Sequence, residues 1–290
     1  MQSVLDRIRS TVELPTIPTT LVRIMEVVES ETSTAEDLAQ VVSKDHALAA
    51  KILRVANSAL YAMPRKVEDI NRAVTLMGFY QVRDVALSMS VFDSLWTPTP
   101  SGARFDRARF WQHCFIVAYA TREIARRCGE LTGLAFTAGL LHDVGKVVVD
   151  LKIPKLWLRI VDNVIESGKG FREVEQSMLG TSHDEIGAML LDIWQLPSDL
   201  IDATAGHHEP LEQENPIAAL TFCADRVAHA AGFGSMDQEP ECVIEEFLES
   251  EKVQALEAAG KMPDAVIVQE VYNEIVENSE YLSAYSAGFF

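Results

Sequence analysis

The sequence predicts an all-α protein built from two helical subdomains. Apolar residues recur at three- and four-residue spacing through most of the 290 residues, as they do on the buried face of a helix. No stretch sustains the two-residue alternation that is typical of half-buried strands. Hydrophobic residues make up 48% of the chain, which is enough to form a sizeable core.

The sequence of the first half predicts short helices, two of which begin at recognisable N-cap residues. The first helix covers residues 18–30. The second begins at Ser33, which has the form of an N-cap, and Glu36 is placed to complete a capping box. Asp45 is placed to cap a third helix that ends at Asn57.

A break in the helical pattern predicts a subdomain boundary. Two further short helices are expected at 73–77 and 82–92, and the segment 97–102 then contains two prolines and a glycine. We therefore expect three parts. They are an N-terminal helical subdomain over residues 1–100, a second helical subdomain over 101–232 and an acidic helical extension over 233–290.

The second half predicts longer helices. Apolar periodicity marks them at residues 111–124, 134–149, 155–167, 183–195, 199–207 and 216–231.

Charge and cysteine content narrow the possible partners and compartments. The formal net charge is −18, from 25 basic and 43 acidic residues, and this argues against binding to long nucleic acids. The four cysteines form no C-x-x-C pair, so neither a thiolate zinc site nor a disulfide framework is indicated. There is no secretory pattern at the start and no apolar run of about 20 residues. We expect a cytoplasmic protein without a membrane span.

Histidine and aspartate residues in apolar surroundings are the candidate metal ligands. His142 and Asp143 are adjacent within the apolar pattern of 134–149. Burying an ionised carboxylate is costly unless it is paired or bound to a metal, and imidazole with carboxylate suits Mn, Fe or Zn. The alternative is a hydrogen-bonded core histidine beside a surface aspartate. Lys146, four residues after His142, is expected on the same helix face, where it could neutralise a phosphate oxygen.

Other histidines and one more aspartate extend this set. His183 follows Ser182, and Ser182 with Glu185 has the form of a capping box. Two histidines end the helix at 199–207, and an aspartate lies mid-helix among apolar residues. The candidates beyond His142 and Asp143 are His113, His183, His207, His208 and Asp225. Each could singly be a core or surface residue. His229 is one helical turn after Asp225 and could hydrogen-bond to it, but a surface position is the preferred expectation.

In this order the residues resemble the ligand series of the HD superfamily of metal-dependent phosphohydrolases, and specifically its HDOD branch. The resemblance spans about residues 8–230 and rests on several segments taken together. These are Leu14–Pro18, Val42–Leu48, Leu53–Ser58, Ala73–Gly78, Gly139–Lys146, His183–Ala188, Trp194–Pro197 and His207–Pro210.

The resemblance implies an HD-type helical bundle in the second subdomain, with one or two divalent ions. Fe or Mn is expected first, with Zn, Ni or Mg as alternatives. One ion would be held by His113, His142, Asp143 and Asp225, and a second by Asp143, His183, His207 and His208. Asp143 would bridge the two, and Asp143 and Lys146 become the catalytic candidates. Glu175 matches an acidic position expected to support the ligands, whereas Lys44, Asp45 and Asn57 are expected to cap and pin helices.

Two departures from catalytic relatives leave the function open. HD-GYP phosphodiesterases continue the double histidine with Gly-Tyr-Pro, but here Pro210-Leu211-Glu212 follows. Arg109 replaces a glutamate that some relatives use for an extra metal. The chain is therefore expected to be a signal-transduction protein. It would be either a hydrolase of a nucleotide or other phosphoester, or a non-catalytic module that binds metal or nucleotide structurally and docks a signalling protein.

Overall fold

A computed structural model describes residues 17–30, 32–57, 65–95, 104–129, 134–236 and 239–287, and these are helical with connecting turns and no strand. The predicted all-α fold class is confirmed. The segment at 97–102 and residues 14–16 of the first motif lie outside the described residues. None of the described helices is long and apolar enough to cross a membrane.

The chain separates into two compact helical units. The described residues between 17 and 95, together with 280–287, belong to one unit, and those between 104 and 279 belong to the other. The described part of 239–279 thus clusters with the unit that carries the candidate ligands. The division into 1–100, 101–232 and 233–290 stays a prediction.

The first unit contains five helices from the N-terminal half. They are α1 (Thr19–Glu29), α2 (Ala35–Ser43), α3 (His46–Ala56), α4 (Ile70–Met77) and α5 (Phe79–Leu95). Helix α2 packs on α4, and α5 packs on both α1 and α3.

Side-chain caps fix the ends of these helices. The capping box predicted at Ser33 and Glu36 is wrong by one residue, because Thr34 has the extended backbone of an N-cap and pairs reciprocally with Asp37. Asp45 caps α3 as predicted and accepts a hydrogen bond from the Leu48 N–H at 3.0 Å. Asn57 ends α3, and its side chain bonds the backbone of Val67 in both directions.

The second unit contains most of the described helices. They are α6 (Arg107–Arg127), α7 (Ala135–Leu141), α8 (Val144–Lys152), α9 (Pro154–Ser167), α10 (Phe171–Leu179), α11 (His183–Ile193), α12 (Ser198–Gly206), a 3-10 turn (Pro210–Glu212), α13 (Pro216–Ala230), α14 (Ile244–Leu248), α15 (Glu251–Ala258) and α16 (Ala265–Glu277). The last helix, α17 (Ser279–Ala287), belongs to the first unit from residue 280 onward. Helices α7 and α13 pack against α6, and α11 packs against α8 and α12.

The single helix predicted over 134–149 is wrong, because it divides at His142 and Asp143. Asp143 leaves the helical backbone region, with φ −101° and ψ 9°, so α7 ends before it and α8 begins after it. The division places two polar side chains at a helix junction inside the unit rather than along one helix face. Both are buried, with His142 1% and Asp143 2% exposed.

Candidate metal centre

Five separate parts of the second unit bring the candidate ligands together. His113 lies on α6, and Asp225 lies on α13. The other candidates lie at helix ends, namely His142 and Asp143 between α7 and α8, His183 at the start of α11, and His207 and His208 after α12. Two groupings of these candidates hold ligand atoms within 4.8 Å of one another, a third grouping joins His113 and Asp225 with His229, and each could hold a metal ion.

Asp143 is central because its two carboxylate oxygens face different histidines. Its Oδ1 lies 3.1 Å from His183 Nε2 and 3.7 Å from His207 Nε2. Its Oδ2 lies 3.4 Å from His142 Nε2 and 3.7 Å from His113 Nε2. One carboxylate therefore joins two groups of imidazoles, which is the arrangement expected of a bridging ligand.

Asp225 and His208 complete the two groups. Asp225 Oδ1 is 3.4 Å from His113 Nε2, while Arg226 bonds its other oxygen. On the opposite side, His208 Nε2 lies 2.8 Å from His183 Nε2. All seven predicted residues thus lie in one cluster.

Backbone carbonyls fix the orientation of three imidazoles. The Nδ1 atoms of His113, His142 and His207 lie 2.7 Å from the carbonyl oxygens of Phe233, Gly139 and Thr204, respectively. A carbonyl only accepts, so each Nδ1 donates and each Nε2 is left with its lone pair. For His142 and His207 the acceptor is a carbonyl in the last turn of the preceding helix. Carbonyls in a last turn have no partner within the helix.

Glu175 orients the fourth imidazole. Its Oε2 accepts from both the backbone N–H and the Nδ1 of His183, at 2.9 and 2.5 Å. Glu175 is fully buried. A carboxylate that fixes the outer nitrogen of a ligating histidine is a common support in metal sites. The contacts of Glu175 are therefore consistent with the expectation that it supports a metal ligand.

The inner nitrogens fit a metal ion. The Nε2 atoms of His113, His142 and His207 are buried and, among the described residues, have no hydrogen-bond partner. An unpaired buried polar atom costs about 1–3 kcal/mol, and three of them converge on ionised carboxylates. A divalent ion satisfies both at once, because neutral imidazole and carboxylate are its usual donors.

The family model of the HDOD domain matches residues 14–210, about two thirds of the chain. The chain belongs to the HDOD family. Asp225 lies beyond the matched residues.

Two solved structures are similar to the chain over nearly its full length. An HDOD domain protein from Geobacter sulfurreducens is 25% identical, with a TM-score of 0.82 over 99% of this chain and 98% of that one. A candidate phosphohydrolase from Shewanella amazonensis SB2B is 25% identical, with a TM-score of 0.74 over 99% of each chain.

Among curated sequences, an uncharacterized protein of Treponema pallidum (strain Nichols) is 25% identical over 251 residues, covering 84% of this chain and 47% of that protein. Ribonuclease Y of Acholeplasma laidlawii (strain PG-8A) is 31% identical over 119 residues, covering 41% of this chain and 18% of that protein. The HDOD chain thus spans about half the length of the first relative and under a fifth of the second.

Burial and neighbouring charges set the protonation states of the HDOD cluster. Burial lowers the pKa of His113 and of His207 to about 3, so both are neutral near pH 7. Burial alone would raise the pKa of Asp143, but Lys146 and His142 hold it well below its usual range. For His183, burial opposes the charge, yet Glu175 and Asp143 raise its pKa to about 10. Metal binding at His183 therefore has to expel a proton.

Lys146 contacts the bridging aspartate. Its Nζ donates to Asp143 Oδ2 at 2.6 Å, three residues back along the chain, and also lies 4.6 Å from the Phe171 ring centre. The expected common face with His142 does not arise, because the helix is divided between the two residues. The ammonium still borders the pocket beside the cluster.

A cavity of about 840 Å³ opens onto the cluster. Besides Asp143, His183, His208 and Asp225, its walls carry the cations Lys146, Lys169, Arg172, Arg226 and Lys252 and the aromatic rings of Phe171 and Phe222. Arg172 and Lys252 each form an ion pair with a different oxygen of Glu209, at 2.9 and 3.0 Å. The volume lies in the range of small-molecule sites.

The preferred expectation for His229 is wrong, two other participants were missed in the sequence, and one interaction was misplaced. His229 was expected at the surface, but its side chain is only 12% exposed and lies 3.3 Å from Asp225. The signal was its four-residue spacing from Asp225, which places both on one face of α13. Arg226 and Glu239 had no such signal. Ser182 is the N-cap of α11, but its side chain makes no capping bond, because it accepts from Gln176 instead.

Proposed function

We propose that this HDOD protein binds one or two divalent ions at the Asp143 cluster and hydrolyses a nucleotide or another phosphoester in signal transduction. The observation that carries the proposal is the buried Asp143 carboxylate, which faces two groups of inward-pointing imidazole nitrogens. The ions would be held by His113, His142, Asp143 and Asp225, and by Asp143, His183, His207 and His208. Fe or Mn is the first expectation, because both accept mixed imidazole and carboxylate ligands.

A bound divalent ion supplies Lewis acidity that activates water and polarises the phosphoryl group. The chain's own residues would do the rest. Lys146, beside Asp143 at the pocket wall, would neutralise a phosphoryl oxygen as negative charge develops. Arg226 fixes Asp225 and adds positive charge to the same wall.

The pocket walls support a phosphorylated ligand. Arg172 and Lys252 lie at the wall with part of each side chain exposed. Both pair with Glu209, and Arg172 also pairs with Asp184 at 3.2 Å. Guanidinium and ammonium groups bind phosphate oxygens through charge-assisted hydrogen bonds. The rings of Phe171 and Phe222 offer apolar surface for a base or other organic group.

Hydrolysis tests this proposal directly. The protein is loaded with Fe²⁺ or Mn²⁺ and assayed with a chromogenic phosphodiester and with a panel of nucleotides. Asp143→Ala should abolish turnover, whereas Asp192→Ala should not, because Asp192 is exposed on α11. Absence of turnover by the wild type across several metals and substrates contradicts the catalytic part of the proposal.

A regulatory module without catalysis is the second candidate. The Lys146 ammonium already compensates Asp143 Oδ2 at 2.6 Å, which stabilises the cluster electrostatically without chemistry. The cluster would then bind metal or nucleotide structurally, and a signalling protein would dock on the chain. This function requires that metal or nucleotide raise the melting temperature without turnover. Unchanged melting with either ligand contradicts it.

A further inference from the structure

His229 lies inside the cluster although the ligand series of the resemblance does not include it. It is one helical turn after Asp225 on α13, and its Nε2 is 3.3 Å from Asp225 Oδ1. Its ring centre lies 5.0 Å from that of His113. The atoms of His113, Asp225 and His229 form one of the three groupings with metal-ligand spacing.

Glu239 fixes the outer nitrogen of His229. Its Oε2 lies 3.3 Å from His229 Nδ1 and accepts from the Ser235 N–H at 2.8 Å. The Ser235 hydroxyl donates to the other carboxylate oxygen at 2.5 Å. Because a carboxylate only accepts, the Nδ1 proton is directed toward Glu239.

The inner nitrogen of His229 then faces an acceptor. With the proton on Nδ1, the Nε2 lone pair points toward Asp225 Oδ1, and two acceptors cannot pair without a proton or a cation between them. Glu175 holds His183 in the same way, with its carboxylate on Nδ1 and Asp143 facing Nε2. His229 therefore repeats the geometry of a predicted ligand.

The distances suit one shared ion. His113 Nε2 lies 3.4 Å from Asp225 Oδ1, and His229 Nε2 lies 3.3 Å from the same oxygen. Neighbouring ligand atoms of a four- to six-coordinate ion with bonds of about 2.0–2.2 Å lie roughly 2.9–3.6 Å apart. An ion bound between His113 and Asp225 is thus within bonding reach of His229.

We propose that His229 is an additional protein ligand of the ion held by His113 and Asp225, and that Glu239 is its positioning residue. The inference rests on the proposed metal centre and adds to it a ligand from beyond the matched residues 14–210. Two residues of the loop after α13 then support this side of the centre. The Phe233 carbonyl orients His113, and the Ser235 N–H holds Glu239.

Cobalt binding tests the assignment without relying on activity. The full chain is stripped of metal and titrated with Co²⁺, and both affinity and the visible ligand-field spectrum are recorded. His229→Ala, and His229→Gln, which preserves bulk, should each weaken Co²⁺ binding at one site at least 10-fold and alter its spectrum, since loss of even a supporting partner costs 10–100-fold. His46→Ala is the matched control because His46 is exposed on α3, in the other unit, and should change neither readout.

A double-variant comparison tests the role of Glu239. Glu239→Gln should weaken Co²⁺ binding by itself but add nothing to His229→Ala, because its effect passes through the imidazole. An equal loss in both backgrounds contradicts the positioning role.

Wild-type affinity and spectrum in both His229 variants overturn the inference and leave His229 as an ion-pair partner of Asp225 and Glu239. If Asp143→Ala still abolishes Co²⁺ binding in that case, the proposed metal centre is retained without His229 as a ligand. A wild-type chain that binds no Co²⁺ refutes both proposals.

Discussion

Gly145→Ala should disrupt the candidate centre from a position that carries no ligand. A Cβ at Gly145 would lie 1.9 Å from the carbonyl oxygen of His183 and 2.8 Å from the amide nitrogen of Gly187. Ordinary contact begins near 3.4 Å, so α8 and α11 would have to separate by about 1.5 Å. The obstructing atoms are backbone, so no side-chain rotation can relieve the overlap.

The energetic balance of Gly145→Ala favours destabilisation. Replacing glycine by alanine inside a helix gains about 1 kcal/mol, whereas overpacking costs about 1–3 kcal/mol or more, and a rigid neighbour places the cost at the upper end. We expect a net loss of about 2 kcal/mol or more in the free energy of unfolding. The separation also moves His183 away from Asp143, which is now 3.1 Å from its Nε2, so metal affinity should fall as well.

Urea denaturation and metal titration measure the two effects of Gly145→Ala. Gly170→Ala is the matched control in the same unit, because a Cβ there meets nothing within 4 Å. Wild-type stability and wild-type metal affinity in Gly145→Ala would refute the argument that close approach of α8 to α11 sets the position of His183.

Three further predictions follow from the same geometry. Glu175→Gln should lower metal affinity 10–100-fold, with the exposed Glu173→Gln as control, and an unchanged affinity by calorimetry contradicts this. In metal-free protein, His113 and His207 stay neutral as the unfolded chain takes up protons below about pH 6.5. The free energy of unfolding should therefore fall as the pH decreases from 6.5 to 5, with a slope that approaches about 1.4 kcal/mol per pH unit for each histidine. A flat profile in urea denaturation contradicts it. If the phosphohydrolase function holds, Arg172→Ala should raise KM about tenfold in steady-state assays, the value of one charge-assisted hydrogen bond, and an unchanged KM removes Arg172 from substrate binding.

The helical fold could be predicted from the sequence because its signals are local. Apolar periodicity identified most of the described helices, and short-range caps such as Asp45 fixed some of their ends. The pattern failed at Asp143, where apolar residues continue on both sides of a helix break. Periodicity records which residues are buried, and it cannot distinguish one buried helix from two that meet inside the core.

The candidate ligands could be named from the sequence, but their supports could not. His142 and Asp143 stand out because an ionised carboxylate in an apolar segment needs a partner. Phe233 orients His113 through a backbone carbonyl, for which no residue type is a signal. Glu239 reaches His229 from an acidic segment in which many carboxylates look alike. Such contacts join distant parts of the chain and emerge only when the helices are packed.

Metal analysis of the purified chain tests the central claim most directly. The wild type, Asp143→Ala and the exposed control Asp192→Ala are prepared without chelator, loaded with Fe²⁺, Mn²⁺ or Zn²⁺, desalted and analysed by elemental mass spectrometry. Because Asp143 faces both groups of imidazoles, the wild type and the control should retain about one or two ions per chain, and Asp143→Ala should retain almost none. A wild type that retains no ion, or an Asp143→Ala chain that retains as much as the wild type, contradicts the claim that these side chains form a metal centre.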